Sequence, residues 1–449
     1  MLNTGSQAKI PTRMLNFLRK QISDQNPLRL LYHKLIAVVA AFYYRFPSNR
    51  LKVIAVTGTN GKTTTCSLIA QLLQYAGHKV GLMSTVYFQI GDKKFTNLTK
   101  QTTQGRFFLQ KMLRQMVDAG CEYAVVESSS HAMVQSRLWG VNVDTAVFTN
   151  LTHDHIDYHG SFTAYKEAKG ELFNKLNRSS RKAGVPKLTI VNQDDPESEY
   201  FLSFPADQKY TFGLQGGIYR ASHVRALPGM TRFDYSIPNG QAEISMPLPG
   251  VVNVYNAAAA ATVAVSEKIS IDTIKAAFER IQAVPGRMEM IDCGQLYNVV
   301  VDYAHAPDAL ESLIKMFRPL TEGKLWLVFG ATGGGRDTTK RPIMGRIADK
   351  GVDNIILTDD DPYQEDNIAI IEQVAKGIDR GEGDRFWKVP SRREAIRLAL
   401  SGAREGDTVL LAGKGAEEFQ VTKDGRIPHD DRQVAREILS REIDVEIGA

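Results

Sequence analysis

The stretch that decides the fold is Leu51-Lys-Val-Ile-Ala-Val-Thr57-Gly58-Thr59-Asn60-Gly61-Lys62-Thr63-Thr64-Thr65. Its apolar, β-branched start predicts a strand, a glycine-containing loop follows, and the next residues suit a helix. This is the layout of a phosphate-binding loop, in which backbone N–H groups and a helix N-terminus face an anion. The lysine reaches the outer phosphates, and a threonine hydroxyl can ligate Mg²⁺. The stretch therefore predicts a site for a nucleoside triphosphate.

The loop is tighter than the common form G-x-x-x-x-G-K-[ST], whose first glycine would fall at Val56, whereas here it is Gly58. A glycine-rich turn with a solvated lysine is the competing interpretation. The strand before the loop and the helical pattern that ends at Gly77 favour the phosphate-binding interpretation.

Composition narrows the class of protein. The 449 residues are 43% hydrophobic and 23% charged, with a net charge of +5, and no basic stripe with interleaved aromatics predicts a nucleic-acid partner. Cys66, Cys121 and Cys293 lack C-x-x-C spacing, which predicts no structural zinc and a reducing, cytoplasmic location. No secretory signal opens the chain, and the apolar run Leu35–Tyr44 is too short to span a bilayer. We therefore expect no membrane insertion.

Strand-like and helix-like runs alternate along the chain, which predicts an α/β fold with mostly parallel sheets covered by helices on both faces. We expect a short helical segment over 1–48, a P-loop-type ATP-binding domain over 49–284 and a Rossmann-like domain over 285–449. The segment Tyr219–Met246 predicts a small β-rich insertion. The predicted strands are Leu51–Val56, Tyr123–Glu127, Thr145–Phe148, Leu188–Asn192, Asn298–Asp302, Leu325–Phe329, Asn354–Thr358 and Thr408–Ala412.

Acids and histidines follow two of these strands. Glu127, at the end of its strand, can hold Mg²⁺ on a triphosphate, or Glu127 and the serines after it can cap the next helix. A second loop can supply metal ligands and a general acid or base, or its charges can cap the helix near Phe162. That loop carries His153, Asp154, His155, Asp157 and His159.

Further candidates are weaker when taken alone. Lys166 and Lys169 lie on a predicted helix, where lysines are most often solvated surface charges. Asn256, near the start of an Ala-rich helix, can read an adenine edge or can be a helix cap. Asp302 follows a strand and can accept hydrogen bonds from a ribose. Arg336, in a glycine-rich loop, can bind a carboxylate, and Asp359–Asp361 can face a cationic ligand or form an acidic turn.

Seven motifs occur in the order found in Mur ligases, and within that family the chain resembles the MurE type over about residues 50 to 440. The motifs are Thr57-Gly-Thr-Asn-Gly-Lys-Thr-Thr, Glu127-Ser-Ser-Ser-His, Asn150-Leu-Thr-His-Asp-His-Ile-Asp-Tyr-His, Leu248-Pro-Gly with Asn253-Val-Tyr-Asn256-Ala, Pro285-Gly-Arg-Met-Glu289, Asp302-Tyr-Ala-His305-Ala-Pro-Asp308 and Gly413-Lys-Gly415.

The resemblance implies that ATP phosphorylates the terminal carboxylate of a UDP-muramoyl peptide, and that the amine of an incoming amino acid displaces the phosphate. It implies catalytic roles for Lys62, Lys169 and His155. The implied ATP contacts are Gly58, Thr59, Asn60, Gly61, Lys62, Thr63, Thr64, Asn256, Arg287 and Asp302. The implied Mg²⁺ ligands are Thr63, Glu127, His155 and Lys169, with Lys169 carbamylated. Thr102, Thr103, Ser129 and Arg137 match positions near the muramoyl peptide, and Arg336, Asp361, Gly413 and Glu417 match positions around the amino acid. Small molecules are the expected partners of a monomer.

The chain departs from the family pattern in three places. The short segment 1–48 stands where the family has a separate uridine-nucleotide-binding domain, which leaves the UDP contacts open. Diaminopimelate-adding members carry Asp-Asn-Pro-Arg where this chain has Asp360-Asp361-Pro362-Tyr363. The missing arginine and the extra acid predict L-lysine or another diamino acid in preference to meso-diaminopimelate. Ala416 and Gln104 replace a histidine and a proline of the family.

Two other functions compete with this prediction. A folylpolyglutamate or poly-amino-acid synthetase of the same superfamily would share the ATP site, but the motifs at Asp154–His159 and Asp302–Asp308 favour the muramoyl-peptide branch. A non-catalytic regulator would be expected to lack a lysine or a metal ligand, and this sequence retains both kinds of residue.

Overall fold

The computed structural model describes residues 26–99, 101–154, 156–227, 229–335 and 338–447, without the side chains of residues 157 and 441–447. The described helices are α1 (Pro27–Tyr43), α2 (Lys62–Tyr75), α3 (Arg106–Asp118), α4 (Ser130–Val134), α5 (Ile156–His159), α6 (Phe162–Arg178), α7 (Ser198–Leu202), α8 (Val251–Ser266), α9 (Ile271–Phe278), α10 (Pro307–Phe317), α11 (Lys340–Gly351), α12 (Asn367–Ala375), α13 (Arg392–Gly402) and α14 (Asp431–Ile447), with short 3-10 turns at Pro47–Arg50 and Arg318–Leu320.

The strands of the first half are β1 (Lys52–Thr57), β2 (Val80–Met83), β3 (Tyr87–Ile90), β4 (Lys93–Thr96), β5 (Tyr123–Glu127), β6 (Thr145–Phe148), β7 (Leu188–Asn192), β8 (Gln208–Gly213), β9 (Tyr219–Leu227), β10 (Met230–Ile237) and β11 (Gly240–Met246). Those of the second half are β12 (Glu289–Met290), β13 (Asn298–Asp302), β14 (Leu325–Phe329), β15 (Asn354–Leu357), β16 (Phe386–Lys388), β17 (Thr408–Ala412), β18 (Phe419–Thr422) and β19 (Gly425–Pro428).

Within the described residues, the strands of the first half form one sheet of eleven strands in the order β11-β10-β9-β8-β7-β6-β1-β5-β2-β3-β4. The centre, from β8 to β2, is parallel, and antiparallel strands extend both edges. The β-rich segment predicted over Tyr219–Met246 therefore continues the main sheet, because β9 pairs with β8. Parallel strands end at a common edge, where the loops after β1, β5 and β6 meet.

Both faces of this sheet are covered, as its continuous apolar strands require. Helices α2, α8 and α9 pack on one face together with side chains of β9–β11. Helices α3, α6 and α7 pack on the other face. The alanines of α8 are buried, so this helix lies close to both α2 and the sheet.

The second sheet has the order β12-β13-β17-β14-β15-β16, in which β12 is antiparallel and the others are parallel. Helices α10, α11 and α12 cover one face, and α13 and α14 cover the other. On the latter side the rings of Trp326 and Trp387 stack with centroids 6.0 Å apart. Arg392 of α13 pairs there with Asp431 of α14, and both side chains are fully buried.

The α/β class is confirmed, and each predicted strand is present to within one residue at either end. Helix α1 lies within the segment 1–48, for which a helical segment stays a prediction because residues 1–25 lie outside the described residues. No described helix is long and apolar enough to cross a membrane. The domain boundaries at residues 48 and 285 remain predictions.

Candidate active site

The phosphate-binding loop joins β1 to α2 at the shared strand edge. Its backbone is held by the loop after β6, because the Thr59 N–H donates to the Asn150 carbonyl over 2.8 Å and the Asn60 N–H to Asn150 Oδ1 over 2.9 Å. Gly61 precedes α2 with φ +80°, and a Cβ there would overlap the Asn256 amide. The loop is therefore fixed from two sides, with the start of α2 facing outward to a ligand.

Two lysines donate to carbonyls of this loop. Lys62 Nζ lies 2.8 Å from the Thr59 oxygen, and Lys169 Nζ lies 2.7 Å from the Gly58 oxygen. Burial lowers the pKa of Lys62, while the charges of Glu127 and Asp154 oppose that shift. Burial also lowers the pKa of Lys169 well below its usual value, and the charge of Lys62 adds to the effect. The surface position that the sequence alone suggested for Lys169 is wrong, because this side chain is 2% exposed.

Glu127 and Thr63 lie together beside the loop. Glu127 Oε1 accepts from the Thr63 hydroxyl over 3.0 Å, and Oε2 accepts from the Thr85 N–H and hydroxyl over 2.7 and 2.9 Å. A hydroxyl and a carboxylate at the start of a helix form the oxygen-rich donor set that Mg²⁺ prefers. The capping alternative fails for Glu127, because Ser129 is the N-cap of α4.

The histidine-rich loop is only partly described. His155, predicted to be catalytic and a metal ligand, lies outside the described residues. His159 is buried with Nε2 3.0 Å from the Ser130 hydroxyl, and the His153 ring stacks on Phe162. Ser161 caps α6, so the loop's charged side chains do not take that role.

Asn256, Arg287 and Asp302 line one cavity of about 320 Å³ together with the phosphate-binding loop. Helix α8 begins at Val251, so the interpretation of Asn256 as a helix cap is wrong. Asn256 Oδ1 accepts from the Thr65 hydroxyl over 3.3 Å. The cavity therefore joins the first sheet's loop edge to residues of the second half of the chain.

The side chains that the second half of the chain contributes to this cavity are also held in place. Asp302 accepts from the N–H groups of Met288 and Ala304 over 2.9 and 2.8 Å. Burial raises the pKa of Asp302, and the Arg287 charge opposes this. The Arg287 guanidinium lies 4.6 Å from the Tyr303 ring centroid. Asp302 thus has a rigid, shielded carboxylate at the cavity wall.

The residues predicted near a muramoyl peptide form a connected group next to Glu127. The Thr103 hydroxyl donates to the Glu127 carbonyl over 2.9 Å and accepts from the Ser129 N–H over 3.0 Å. Arg137 donates to the Thr103 carbonyl, and Thr102, partly buried, precedes it in the same loop.

Sequence reasoning missed Arg106 at this place. Its Nη2 donates to the Gln135 carbonyl over 2.6 Å, and burial together with the charge of Arg137 lowers its pKa to about 10. Two neighbouring guanidinium groups make this wall suited to an anion. The available signal was its position at the start of a helix directly after the Thr102–Thr103 loop.

The residues predicted to contact the incoming amino acid do not form one described group. Arg336 lies outside the described residues. The Gly413 N–H donates to the Asp302 carbonyl over 3.0 Å, which links its loop to the cavity wall. Asp361 and Glu417 each lie 2.7 Å from the buried Nζ of Lys414.

Lys414 compensates the negative charge of the acidic loop Asp359–Asp361. Burial disfavours its charge, but the carboxylates of Asp360, Glu417 and Asp361 hold its pKa above the usual value. Asp361 Oδ1 also accepts from the Val421 N–H over 2.9 Å. The extra acid, which we expected to face a substrate ammonium, is thus paired inside the protein. Glu417 and Thr85 line a second cavity with Arg287, so Arg287 borders both compartments.

The chain matches the family model "Mur ligase middle domain" over residues 56–264 and the model "Mur ligase, glutamate ligase domain" over residues 286–415. A UDP-N-acetylmuramoyl-L-alanyl-D-glutamate–2,6-diaminopimelate ligase of Geobacillus kaustophilus is 42% identical over 403 residues, which are 89% of this chain and 81% of the relative. A UDP-N-acetylmuramyl-tripeptide synthetase of Roseiflexus sp. is 41% identical over 416 residues, or 90% and 82%.

Solved structures agree with this fold. A UDP-N-acetylmuramoyl-L-alanyl-D-glutamate–2,6-diaminopimelate ligase superposes with a TM-score of 0.63 at 34% identity, over 87% of this chain and 79% of that chain. MurF ligase from Thermotoga maritima in complex with ADP superposes with a TM-score of 0.66 at 16% identity, over 91% and 84%. At that identity the second likeness shows the fold alone.

Proposed function

The chain belongs to the Mur ligase family of ATP-dependent ligases and, within it, to the MurE type. From that premise we propose that it adds an amino acid to UDP-N-acetylmuramoyl-L-alanyl-D-glutamate through an acyl-phosphate intermediate. The observation that carries this proposal is the group of Lys62, Thr63, Glu127 and Lys169, of which only Lys62 is partly exposed. This group adjoins Gly61 and Thr64, which line a cavity together with residues of the second half of the chain.

In the proposed reaction the peptide's terminal carboxylate attacks the γ-phosphorus of ATP, and ADP leaves. The amino acid's amine then attacks the acyl phosphate, and inorganic phosphate leaves as the amide forms. Lys62 and the N–H groups at the start of α2 stabilise the phosphoryl oxygens in a site shielded from water. Arg137 and Arg106 would orient the peptide's carboxylate, because their guanidinium groups belong to the group of residues next to Glu127.

Thr63 and Glu127 fit Mg²⁺, which would neutralise charge on the transferred phosphoryl group when bound. His155 is retained as a proposed ligand from the sequence. Lys169 is proposed to be carbamylated, because burial and the charge of Lys62 lower its pKa and so favour the uncharged amine, which is the form that reacts with CO₂. Carbamylation would replace a cation with an anion next to the phosphate-binding loop.

The added amino acid is proposed to be a diamino acid. Two observations point to different members of this class. The name of the Geobacillus relative specifies diaminopimelate. This chain, however, has Tyr363 in place of the arginine of the Asp-Asn-Pro-Arg motif. The prediction of L-lysine loses part of its support, because Asp361 already pairs with Lys414. It stays a prediction for direct test, as do the monomeric state and the cytoplasmic location.

The test incubates the purified chain with ATP, Mg²⁺, UDP-muramoyl dipeptide and an equimolar mixture of L-lysine, L-ornithine and meso-diaminopimelate. Mass spectrometry of the nucleotide product then identifies the added residue. We expect one tripeptide product, and kcat/KM for each separate amino acid ranks lysine against diaminopimelate. A Lys62→Ala variant should release no phosphate, whereas Lys166→Ala, which removes a half-buried lysine of α6 paired with Glu197, should keep full activity.

Phosphate release with folate in place of the muramoyl dipeptide, and none with the dipeptide, would favour the folylpolyglutamate class instead. ATP binding without phosphate release from any acceptor would favour the regulator.

A further inference from the structure

Helix α1 turns its small side chains toward the protein and its large apolar side chains outward. Ala37, Ala40 and Ala41 are buried, and Gly140 lies so close that a Cβ there would overlap Ala41. The opposite side forms an apolar stripe whose six side chains are between 53 and 77% exposed: Leu28, Leu31, Tyr32, Leu35, Val39 and Phe42. Surface helices normally bury such a face, so a contiguous exposed stripe indicates an interaction surface.

The helix is fixed in this orientation. Its C-terminal end is held by Ser48, whose hydroxyl donates to the Gly140 carbonyl over 3.2 Å and accepts from the Asn142 N–H over 3.0 Å. The Phe46 ring lies 6.4 Å from Trp139. Rotating α1 to bury the stripe would break these contacts, so the stripe stays exposed among the described residues.

Positive charge surrounds the stripe. The sequence has no Asp or Glu between Asp24 and Asp92, and Arg29 and Lys34 lie on the two flanks of α1 at about 100° per residue. At the helix end a cavity of about 450 Å³ is lined by Tyr43, Tyr44, Arg45, Pro47, Arg50 and Arg114. Three guanidinium groups face it, and the nearby Asp118 pairs with Arg114. Guanidinium groups bind phosphate oxygens in a bidentate manner, so this arginine cavity suits a phosphate group.

We propose that α1 docks this protein on the surface of an anionic lipid bilayer. The apolar stripe enters the boundary between headgroups and acyl chains, and the arginine cavity receives a lipid phosphate. Amphipathic helices with an apolar face and flanking cations bind membranes in this way. At about 1.5 Å per residue, the 17 residues of α1 are about 25 Å long and carry two cations, so the helix lies on the bilayer rather than across it.

Co-sedimentation of the full chain with vesicles tests the proposal. We expect binding to vesicles that contain phosphatidylglycerol to be at least tenfold tighter than binding to pure phosphatidylcholine, and to weaken as salt rises. The double variant Leu35→Ser/Val39→Ser should lose at least tenfold in affinity. The matched control Ile218→Ser/Leu296→Ser, which removes equally exposed apolar side chains elsewhere, should bind like the unmodified protein.

The charge contribution has its own pair of variants. Arg45→Gln/Arg50→Gln should weaken binding to anionic vesicles by roughly fivefold for each arginine removed. Arg225→Gln/Lys268→Gln removes two exposed cations distant from α1 in the sequence and should change little. Ligase activity in solution should be unchanged in all four variants, which separates this result from the fate of the proposed function.

Three results would overturn the proposal. The first is equal or absent binding to both kinds of vesicle. The second is a dimer, seen by light scattering, that Leu35→Ser/Val39→Ser dissociates, because the stripe would then be an interface between copies. The third is a melting temperature that falls in that variant but not in the Ile218→Ser/Leu296→Ser control, because residues 1–25 would then cover the stripe from within the chain.

Discussion

Single residues set the chemistry of the phosphate-binding loop. Lys62 donates to the Thr59 carbonyl, and Lys169 donates to the carbonyl of the adjacent residue, Gly58. Two amines held so close repel each other when both are charged, and burial increases the cost. Burial is the main cause of the lowered pKa of both lysines, and for Lys169 the charge of Lys62 adds to it. The loop therefore favours an anion at its open side and an uncharged or modified amine at Lys169.

Lys169 should take up labelled CO₂ as a carbamate. Because burial lowers its pKa, the uncharged amine is more populated than in an exposed lysine, and lowering the pH should protonate the amine and release the label. The measurement is ¹³C NMR of the protein in ¹³C-bicarbonate. Lys169→Arg should show no carbamate signal, and Lys166→Arg, whose lysine pairs with Glu197, should keep it. An equal signal in both variants would contradict the prediction.

Gly61→Ala should impair ATP binding more than folding. The residue has φ +80° and faces the Asn256 amide, so an added methyl group both strains the backbone and displaces the cavity wall. Gly77→Ala is the control, because Gly77 has φ +93° and open space around its Cβ position. Gly77→Ala should lose about 1–2 kcal/mol of unfolding free energy from the strained backbone. Gly61→Ala should lose at least as much, because its Cβ also meets the Asn256 amide. Only Gly61→Ala should weaken ATP binding at least tenfold by calorimetry.

At the scale of elements, helices α13 and α14 are joined by one buried and one exposed ion pair. Arg392 Nε and Nη2 donate to the Asp431 carboxylate over 2.8 and 2.6 Å, and Arg392 also donates to the Ala412 and Asp359 carbonyls. Arg393 and Glu437 form the exposed pair at 2.7 Å. The two pairs sit on the same helices but differ in burial, so they separate the effect of burial from that of helix contact.

Asp431→Asn should lower the unfolding free energy by about 3–5 kcal/mol, because it leaves the buried Arg392 charge uncompensated. Glu437→Gln should cost roughly 0–1 kcal/mol. Burial opposes ionisation of Asp431, yet Arg392 holds its pKa well below the usual value. A depressed pKa in the folded state gives stability that is present above the unfolded pKa of about 3.9 and is lost as pH falls below it. Denaturant unfolding from pH 6 to 3 should therefore show the difference between the original protein and Asp431→Asn shrinking. A constant difference would contradict this.

Sequence patterns predicted buried parallel strands and missed exposed edges. Leu325–Phe329 is an uninterrupted apolar run, because both of its faces are covered, and it was predicted to the residue. Strand β4, with the sequence Lys-Lys-Phe-Thr, is exposed throughout and gives no periodic signal. Helix α8 begins five residues before Asn256, which the Ala-rich composition did not reveal.

The residues of the candidate active site also differ in how well the sequence reveals them. The phosphate-binding loop is a contiguous motif, so its residues could be found from the sequence. Thr85 reaches the site through the folding of a distant loop, and no local spacing reveals it. Arg106 had only the signal of its position directly after the Thr102–Thr103 loop. Lys169 had a usable signal, since Tyr165, Leu172 and Phe173 lie four, three and four residues from it on the same buried helix face.

At the scale of the whole molecule, the two halves meet where the chain passes from one to the other. Gly286 lies against the backbone of Gly415 and Ala416, and Arg287 borders both cavities. The Thr96 hydroxyl donates to Glu418 over 3.1 Å, so the far edge of the first sheet also contacts the second half. The path of the chain at the junction thus depends on a close approach, within the second half, that only glycine permits at residue 286.

Gly286→Ala should therefore slow the ligase reaction. Its Cβ would overlap the Gly415–Ala416 backbone and separate the cavity walls, so we expect kcat/KM to fall at least tenfold. The control is Gly383→Ala, which has a similar positive φ and nothing near its Cβ position. Gly286→Ala should also lose more unfolding free energy than Gly383→Ala, because its Cβ meets backbone atoms, so activity is compared at a temperature at which both variants are folded. Equal activity in the two variants would show that the close approach at Gly286 is not needed for turnover.

The stacked indoles of the second half have a spectroscopic consequence. Of the chain's three tryptophans, Trp139 belongs to the first half, and Trp326 and Trp387 are the stacked pair. A Trp139→Phe variant would emit from the second half alone, and a variant without the pair would emit from the first half alone. Intrinsic fluorescence can therefore record the melting of each half separately, without any attached dye.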